Sequence, residues 1–389
     1  MFKVRTYNQI SPLGLNRFDS SRYQVGPELA DPDAFILRSQ KLQGEPVPAS
    51  VLGVARAGAG VNNIPVPEYT AKGIVVFNTP GANANAVKEL IAAALLLSSR
   101  DIFGGMNYVQ GLTHMTDAGE MSKLLEKEKK NFAGSEILGK TLGVIGLGAI
   151  GSMVANMALE LGMNVAGYDP ALSVESAWRL SSRVEKMDSL QSLLAKSDYV
   201  TLHVPAIAAT RHLINGDTVK FFKPGAKLLN FAREEIVEAE ALIAALDNGT
   251  LGGYTADFPT PQLLGRKNVI LMPHIGASTE EAEENCAIMA ADQLMDFLEN
   301  GNILNSVNFP PTVMARSGGH RITFSNDNVP KVLGNVLAIL ADSDNNVIDL
   351  VNKSRDNVAY NIIDVEDAPA ADIIARITAV EGVIRVRVL

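Results

Sequence analysis

The feature that most constrains the fold of this chain is the run TLGVIGLGAIGSMVANMALELGMNVAGYDP, residues 141–170. An apolar strand pattern leads into three glycines spaced G-x-G-x-x-G, and a helical pattern begins directly after them. Glycines at this spacing let the backbone turn tightly and approach a diphosphate at the N-terminus of the helix. The run therefore predicts a dinucleotide-binding loop, which comprises Gly146, Gly148, Ala149, Ile150 and Gly151.

The strand that follows this helix ends at Asp169. A carboxylate in that position can accept hydrogen bonds from both ribose hydroxyls and repels a 2′-phosphate. We therefore predict NAD as the cofactor in preference to NADP. The alternative, in which the glycines make only a tight turn, is disfavoured because strand, helix and acid all stand in the expected order.

Three later strand patterns also end in polar side chains. Arg233 follows KLLNFA, Asp257 follows LGGYTA and His274 follows NVILMP. Because doubly wound folds bind ligands at the carboxyl ends of their strands, these groups are expected on the same side as the glycine loop. A guanidinium can hold a carboxylate in a bidentate fork, and an imidazole can take up a hydroxyl proton near neutral pH. The combination suits the oxidation of a 2-hydroxy acid.

Composition and charge exclude several other classes. The formal charge of -9 and the lack of a long Lys/Arg cluster argue against nucleic acid or an anionic membrane surface as partner. The longest apolar run, residues 91–97, is far below the roughly 20 residues that span a bilayer, and the N-terminus lacks an apolar signal core, so the cytoplasm is expected. The single cysteine, Cys286, excludes an internal disulfide, and no cluster with ligand spacing indicates a metal.

Apolar runs alternate with amphipathic segments almost to Asn300, which predicts parallel sheets with helices on both faces. The tail after the linker NFPPTVMARSGGH reads as βαββαβ, a small ferredoxin-like domain. The predicted domains are a substrate domain over 1–95, which resumes at 278–308, a Rossmann-type NAD domain over 96–277, a linker over 309–319 and a regulatory domain over 320–389.

From about Val51 to Asn308 the sequence resembles the D-isomer-specific 2-hydroxyacid dehydrogenases, and among them the phosphoglycerate dehydrogenases. The resemblance rests on VARAGAGVNNI, FNTPGANANAVKELIAAALL, FAGSEILGKTLGVIGLGAIG, LHVP, NFAR and PHIGAST. It implies a flavodoxin-like discontinuous substrate domain beside the NAD domain, with Arg233 as carboxylate anchor and His274 as acid/base. It also implies further cofactor contacts from His203, Val204, Pro205, Phe231, Ala232, Asp257, Gly276 and Ala277, and substrate contacts from Arg56, Ala57, Gly58 and Asn83.

The activity that the resemblance implies is NAD-dependent oxidation of D-3-phosphoglycerate to 3-phosphohydroxypyruvate by a homodimer or homotetramer. Arg56 lies in a loop of small residues, where it suits a phosphate, and the backbone N–H groups of that loop are expected to be free for a carboxylate. Alternatives are a dehydrogenase of another D-2-hydroxy acid, such as glycerate or phosphoerythronate, a cofactor-sensing corepressor of the same fold and, for Arg56 alone, a surface position on a turn.

One departure from the family concerns His274. The family usually has a loop of the form DVFxxEP, whose Glu hydrogen-bonds the catalytic histidine, whereas this chain reads DFPTP and has no Glu between Asp257 and His274. Asp257 is the first candidate for the missing carboxylate and Glu234 the second. The third possibility is that His274 works without a charged partner.

The tail resembles an ACT domain, a regulatory module often attached to phosphoglycerate dehydrogenases. Asn328 and Asn346 correspond to positions that hold serine in the serine-inhibited members, so they are candidates for contact with an L-serine effector. Lys331 replaces the usual glycine after the proline. In the alternative reading the tail serves only in assembly, since small ferredoxin-like domains often pair edge strands.

Overall fold

A computed structural model describes all 389 residues of the chain. The chain forms two compact units. The first consists of residues 1–83 together with residues 280–389, and the second of residues 84–279. The predicted boundary at residue 95 falls inside a helix that runs from Ala84 to Ser99, and this helix belongs to the second unit.

The N-terminal lobe of the first unit is a parallel sheet with one long helix from later in the chain. The strands are β1 (Phe2–Thr6), β2 (Tyr23–Gly26), β3 (Ala34–Leu37), β4 (Gly53–Arg56) and β5 (Val75–Phe77), and the helices are α1 (Pro12–Leu15), α2 (Val66–Ala71) and α10 (Glu280–Asn300). The strands are ordered β2-β1-β3-β4-β5, and every pair is parallel. This is the flavodoxin-like order that was expected.

The second unit is a seven-stranded sheet with helices. Its strands are β6 (Thr141–Ile145), β7 (Asn164–Tyr168), β8 (Glu185–Lys186), β9 (Tyr199–Leu202), β10 (Ala226–Asn230), β11 (Leu251–Ala256) and β12 (Val269–Leu271). Its helices are α3 (Ala84–Ser99), α4 (Ile102–Gln110), α5 (Ala118–Glu128), α6 (Ala149–Glu160), α7 (Val174–Trp178), α8 (Leu190–Lys196) and α9 (Ala239–Asp247). The strands are ordered β12-β11-β10-β9-β6-β7-β8, and every neighbouring pair is parallel. The order in which the chain adds strands reverses between β6 and β9, which confirms the doubly wound fold.

Local sequence explains where these elements begin. Strand β9 is buried along its whole length, and it is apolar except for Thr201. Several helices start at a side-chain cap that accepts a backbone N–H, as Asp117 does for α5 and Ser189 for α8. Helix α6 has no such cap, because Gly148 occupies the N-cap position. The first N–H groups of α6 are therefore left without a side-chain partner.

The tail has the predicted βαββαβ order. Its elements are β13 (His320–Asp327), α11 (Val332–Asp342), β14 (Val347–Arg355), β15 (Val358–Val365), α12 (Ala371–Thr378) and β16 (Val383–Val388). The strands form an antiparallel sheet ordered β14-β15-β13-β16. Alternate residues of β13, including Ile322 and Phe324, share a core with the apolar residues of α11 and α12. One face of the sheet is thus covered by the two helices of the tail.

The other face of the tail sheet packs on the N-terminal lobe of the same unit. Tyr360 and Ile362 share a core with Phe297 of α10 and with Phe309. Arg387 donates to the carbonyl oxygens of Phe297 and Leu298 at 3.2 and 2.9 Å. The last carbonyl groups of a helix have no partner inside the helix. Side chains of the tail therefore cap the C-terminal end of α10.

A buried ion pair joins the strands of the tail to the linker. The Arg321 and Asp364 side chains are both 0% exposed, with Nε and Oδ1 at 2.6 Å. Arg321 also donates to the carbonyl oxygens of Asn300, Met314 and Ala315 at 2.9 to 3.0 Å. Burial disfavours the charged form of Asp364, but hydrogen bonds from Arg321 and Ser317 outweigh burial and hold the pKa of this carboxyl below its ordinary value. The pair fixes the path of the linker.

The structure contains no helix with the length and apolar character needed to span a bilayer.

Candidate active site

The second unit brings most of the predicted site residues to one edge of its sheet. Strands β6, β9, β10, β11 and β12 run in the same direction, so the residues that follow them share what we call the carboxyl edge. The loops at this edge carry Gly146–Gly151, His203–Pro205, Phe231–Arg233, Asp257 and His274–Ala277. The structure thus places the cofactor, anchor and acid/base candidates of this unit together.

The three glycines of the loop after β6 have different packing. A Cβ at Gly146, where φ is +88°, would lie 2.6 Å from the carbonyl oxygen of His203, and one at Gly151 would overlap the carbonyl oxygen of Gly146. Side chains cannot be accommodated at either position. A Cβ at Gly148 would meet nothing within 4 Å. The space beside the N-terminus of α6 is therefore open, as a dinucleotide diphosphate requires.

Asp169 directly follows β7. Its two carboxylate oxygens accept the N–H groups of Leu147 and Ala171 at 2.8 and 2.9 Å. The backbone of the glycine loop thus holds the carboxylate in place, while no cation of the protein neutralises it. Since each oxygen has a second lone pair, Asp169 retains the capacity to accept ribose hydroxyls.

His203 follows β9 and stays neutral at physiological pH. Its Nε2 lies 2.9 Å from the Oγ1 of Thr201, and burial lowers the pKa of the imidazole to about 3. The side chain of Val204 lies against the position that a Cβ of Gly146 would take, at 2.8 Å. Both residues thus adjoin the glycine loop, and a neutral, hydrogen-bonded His203 is unsuited to proton transfer near pH 7.

Arg233 follows β10 and makes no salt bridge within the protein. Its Nη1 donates to the carbonyl oxygen of Ala232 at 2.6 Å. Asn230, which is 0% exposed, accepts the N–H of Ala232 at 3.1 Å and donates to the carbonyl oxygen of Arg233 at 2.8 Å. Sequence reasoning missed Asn230, although a polar residue at the end of the apolar run KLLN was a visible signal. This amide fixes the loop that presents the guanidinium.

The structure corrects the expected pairing between Asp257 and the imidazole of His274. The Oδ1 and Oδ2 of Asp257 accept the N–H groups of Ile275 and Gly276 at 2.8 and 2.7 Å. The carboxylate therefore orients the backbone after His274 and not its ring. Glu234, the second candidate, is exposed and makes no salt bridge. Of the three possibilities, the structure matches the one in which His274 has no charged partner.

The ring of His274 instead contacts an aromatic side chain. His274 is exposed and has a left-handed backbone conformation with φ of +57°. The ring centroids of Phe258 and His274 lie 4.8 Å apart at an interplanar angle of 53°. The Cζ of Arg233 lies 5.9 Å from the centroid of the same Phe258 ring. Sequence reasoning missed Phe258, because it considered only the Glu that the loop DFPTP lacks.

The first unit holds the remaining substrate candidates. Arg56 ends β4, and its Nε donates to the carbonyl oxygen of Arg38 at 3.0 Å, while Nη1 donates to that of Gly60. A Cβ at Gly58, where φ is +153°, would lie 3.0 Å from Nη1 of Arg56. The carbonyl groups of Arg38 and Gly60 therefore hold the guanidinium, and the missing side chain of Gly58 leaves room for it.

Two of the backbone amides that were expected to be free in the Arg56 loop are hydrogen-bonded within the protein. The N–H of Ala57 donates to the carbonyl oxygen of Leu37 at 2.8 Å and that of Gly58 to the carbonyl oxygen of Arg56 at 2.9 Å. The amides that remain without a partner are those of Ala59 and Gly60. Asn83, the other substrate candidate, has a buried Oδ1 without a hydrogen-bond partner. A buried acceptor in this state is suited to a ligand or an ordered water.

The two effector candidates of the tail lie at opposite ends of its sheet. Asn328 donates to the carbonyl oxygen of Asp356 at 3.0 Å, beside the turn between β14 and β15. Asn346 lies at the other end, where its Nδ2 is 3.3 Å from the Oε2 of Glu366. Within one chain these side chains cannot contact the same small molecule. Lys331 has φ of +78° at the start of α11, so it retains a conformation that favours glycine.

No group of three or more His, Cys, Asp or Glu side chains is arranged to hold a metal ion.

Comparison with known proteins places this site in a family. Residues 104–276 match the model of the D-isomer specific 2-hydroxyacid dehydrogenase NAD binding domain. The chain is 33% identical over 343 residues to a D-3-phosphoglycerate dehydrogenase of Haemophilus influenzae, which covers 85% of this chain and 79% of that protein. The chain belongs to the D-isomer specific 2-hydroxyacid dehydrogenase family. It is therefore an oxidoreductase with NAD as its cofactor and a small molecule as its substrate.

Other relatives differ in length and substrate. A D-3-phosphoglycerate dehydrogenase of Synechocystis is 38% identical over 296 residues, and the chain spans 50% of the length of that relative. Among solved structures, the NAD+-bound 3-phosphoglycerate dehydrogenase of Entamoeba histolytica matches with a TM-score of 0.61 and 25% identity, over 79% of this chain and 98% of that one. The D-mandelate dehydrogenase of Rhodotorula graminis matches with a TM-score of 0.66 and 25% identity, over 81% and 99%.

Proposed function

We propose that this chain catalyses the NAD-dependent oxidation of D-3-phosphoglycerate to 3-phosphohydroxypyruvate, the first step of L-serine biosynthesis. The observation that carries the proposal is the placement of Arg233 and His274 at one edge of the sheet, beside the glycine loop, with neither side chain in a salt bridge. An arginine without a countercharge in the protein can bind a substrate carboxylate, and an exposed imidazole can accept a proton.

Arg233 acts as the carboxylate anchor in this proposal. Its guanidinium has donors left after the single bond to the carbonyl oxygen of Ala232. A bidentate pair with the substrate carboxylate would fix the orientation of C2. The same positive charge would stabilise the oxygen at C2 as it becomes a carbonyl.

His274 accepts the proton of the C2 hydroxyl as the C2–H bond breaks. The bonds from Asp257 to the N–H groups of Ile275 and Gly276 hold the backbone that presents the imidazole. In the direction of reduction the protonated ring would return this proton to the same oxygen. His203 takes no part, because burial keeps it neutral.

The residues of the carboxyl edge fit NAD. Gly148 leaves open space at the N-terminus of α6, and Asp169 holds a carboxylate beside it. We assign the diphosphate to the N–H groups of Ala149, Ile150 and Gly151 and the ribose hydroxyls to Asp169. The bound cofactor supplies the acceptor for the hydride that leaves C2.

Arg56 is proposed as the contact for the substrate phosphate, and this separates the proposed reaction from its main alternative. The loop places the guanidinium of Arg56 among carbonyl groups, with the free amides of Ala59 and Gly60 nearby in sequence. A cation beside backbone N–H groups suits a phosphate. A dehydrogenase for a D-2-hydroxy acid without a phosphate requires no contact of this kind.

We further propose that the tail is an ACT-type regulatory domain with L-serine as effector, and that the enzyme is a cytoplasmic homodimer or homotetramer. The βαββαβ order and antiparallel sheet of the tail support the first part. Titration of L-serine into the activity assay tests it. Equal rates with and without L-serine would leave the tail with a role in assembly only.

The decisive experiment is a steady-state assay of a panel of substrates with NAD. The panel contains D-3-phosphoglycerate, 4-phospho-D-erythronate, D-glycerate and D-lactate. We expect the highest kcat/KM for D-3-phosphoglycerate. A higher kcat/KM for 4-phospho-D-erythronate, D-glycerate or D-lactate would replace this proposal by the alternative, a dehydrogenase of another D-2-hydroxy acid. Turnover of none of the four would contradict both.

Arg56→Ala is the matching variant. It should lower kcat/KM for D-3-phosphoglycerate by roughly 30-fold or more, the effect of removing one partner of a close charge pair. Turnover of D-glycerate should be unchanged. An equal loss on both substrates would show that Arg56 only maintains its loop.

A further inference from the structure

We infer that Phe258 is a positioning residue, which orients both the imidazole of His274 and the guanidinium of Arg233 and replaces the carboxylate that the loop lacks. The inference rests on the proposed roles of His274 and Arg233. It adds a residue that neither the sequence motifs nor the family match assigns to the site.

The first observation is that one aromatic ring contacts both functional groups. The Phe258 ring is 4.8 Å from the His274 ring and 5.9 Å from the Cζ of Arg233, measured to the Phe258 centroid. Aromatic pairs at this separation stabilise a tilted arrangement, and a guanidinium within about 6 Å of a ring centroid is attracted to the ring. Phe258 is therefore the common neighbour of the anchor and the acid/base.

The second observation is that the backbone of the loop is locked to the segment that carries His274. Asp257 precedes Phe258 and accepts the N–H groups of Ile275 and Gly276, the two residues after His274. A Cβ at Gly276 would lie 3.0 Å from the Oδ2 of Asp257, so the two segments are in close contact. Asp257 thus holds the main chain that follows His274, and Phe258 contacts the ring of His274.

No other group of the protein competes for this role. The imidazole of His274 makes no hydrogen bond or salt bridge, and Glu234 is exposed without an ion-pair partner. An exposed imidazole without a contact would sample several rotamers, and only a fraction of them would have the orientation that the reaction requires. The contact with Phe258 is the one ring contact that restrains it.

An aromatic ring also has a chemical consequence that a carboxylate lacks. The negative face of the ring can attract a cation without carrying a charge of its own. Arg233 therefore keeps its full charge for the substrate carboxylate, whereas a glutamate beside both groups would compete for the guanidinium. Phe258 can therefore restrain the imidazole and the guanidinium without neutralising the charge of Arg233.

The first test reads the contact between Phe258 and His274 without any turnover. Histidine labelled with 13C at Cε1 gives five ring signals, one per histidine of the chain, and His274→Asn identifies the signal of residue 274. A neighbouring aromatic ring shifts such a signal through its ring current. We expect Phe258→Leu to move the signal of His274 and Phe258→Tyr to leave it near its original position. An unchanged signal in Phe258→Leu would overturn the inference.

The second test reads activity and pH dependence. Phe258→Leu should lower kcat/KM by about 10- to 100-fold, the cost of misplacing reactive groups by about 1 Å, and Phe258→Tyr should restore most of it. Phe258→Glu should move the acid limb of the kcat/KM profile to higher pH, because a carboxylate beside the imidazole stabilises its protonated form. An unmoved acid limb would show that a side chain at position 258 does not act on His274.

The matched control is Phe221→Leu, since Phe221 lies in the same unit, is 45% exposed and contacts neither His274 nor Arg233. It should leave the signal of His274 and kcat/KM unchanged. Phe258→Met, which keeps volume but lacks a ring, takes the place of Phe258→Leu if the latter fails to fold. Lack of turnover in the unaltered protein would contradict the proposed function alone, because the signal of His274 still reports the contact.

Discussion

Two arginines of this chain, Arg321 in the tail and Arg233 at the carboxyl edge of the seven-stranded sheet, differ in how their hydrogen bonds are used. Arg321 is fully buried and spends its donors on Asp364 and on three backbone carbonyls. Arg233 is half-buried, donates to one carbonyl and has no countercharge. The donors of Arg321 therefore have their partners within the protein, whereas most donors of Arg233 are left for a ligand.

The same difference separates two aspartates. Asp364 is paired with Arg321 and also accepts from the backbone and side chain of Ser317. Asp169 accepts two backbone N–H groups and has no cation. Charge that the protein leaves uncompensated at a strand end marks a place where a ligand is expected. Substitutions in the two classes should therefore affect different properties.

The largest effect is expected from Arg321→Ala. It should lower the free energy of unfolding by about 3–5 kcal/mol, because it leaves Asp364 as a buried charge without a partner. Denaturant unfolding of the purified protein measures this loss. Under conditions where the variant is folded, kcat/KM should change little. A large loss of kcat/KM with unaltered stability would contradict the structural role of Arg321.

The double variant Arg321→Met with Asp364→Leu sharpens this prediction. Removing both charges relieves the penalty of an isolated buried carboxylate. Recovery should nevertheless be partial, since the carbonyl groups of Asn300, Met314 and Ala315 lose their donor.

Arg233→Ala should show the opposite behaviour. We expect kcat/KM for D-3-phosphoglycerate to fall by about 100- to 1000-fold, or roughly 2.7–4 kcal/mol. The melting temperature should remain nearly unchanged, because the guanidinium donates to a single carbonyl in the protein. Arg233→Lys, which keeps the charge but not the fork, should recover only part of the loss. A destabilised Arg233→Ala protein would assign Arg233 to the structural class.

The third prediction concerns Asp169. NAD should be preferred over NADP by at least about tenfold in kcat/KM, or about 1.4 kcal/mol, because a 2′-phosphate would meet a carboxylate without a countercharge. Asp169→Asn should reduce this ratio. Initial rates with each cofactor measure it, and equal use of both by the unaltered protein would refute the assignment.

The smallest effect is expected from His203, whose imidazole has a hydrogen-bond partner within the protein, the Oγ1 of Thr201. Its pKa is lowered to about 3 in the folded protein from an ordinary value of 6.5, so below about pH 6.5 only the unfolded chain takes up a proton. Stability should therefore fall as the pH decreases from 6.5 towards 3. In His203→Gln the melting temperature should decrease less between pH 7.5 and pH 5.5. An equal decrease in both proteins would contradict a half-buried His203 with a lowered pKa.

Several elements of the fold were predictable from short patterns. The glycine loop, Asp169 and the strand ends at Arg233, Asp257 and His274 lie where their spacing indicated, and the tail has the predicted order of elements. These predictions succeed because the side-chain period of a strand and the alternation of strands and helices are local properties. The parallel order of the sheet then brings successive strand ends to one edge.

The partner of His274 was not predictable in the same way. The sequence offered Asp257 as the replacement for a missing glutamate, but the conformation of the DFPTP loop directs this carboxylate to the backbone N–H groups of Ile275 and Gly276. The adjacent ring of Phe258 reaches the imidazole instead. Which of two neighbouring side chains makes the contact depends on backbone dihedral angles that residue identity alone does not fix.

Spacing along the chain was sufficient to predict the cofactor loop, the anchor and acid/base candidates and the order of elements in the tail, because these are local patterns. The flavodoxin-like sheet of the N-terminal lobe was expected only from the family resemblance. The tertiary structure was needed to show that the amides of Ala59 and Gly60 remain free and that Asn328 and Asn346 lie apart. It was also needed to show that α10 and Phe309 cover the second face of the tail sheet. Each of these features depends on how different segments of the chain pack together. Such contacts are set by loop conformation and strand register, and their hydrogen bonds compete for the same few buried donors and acceptors.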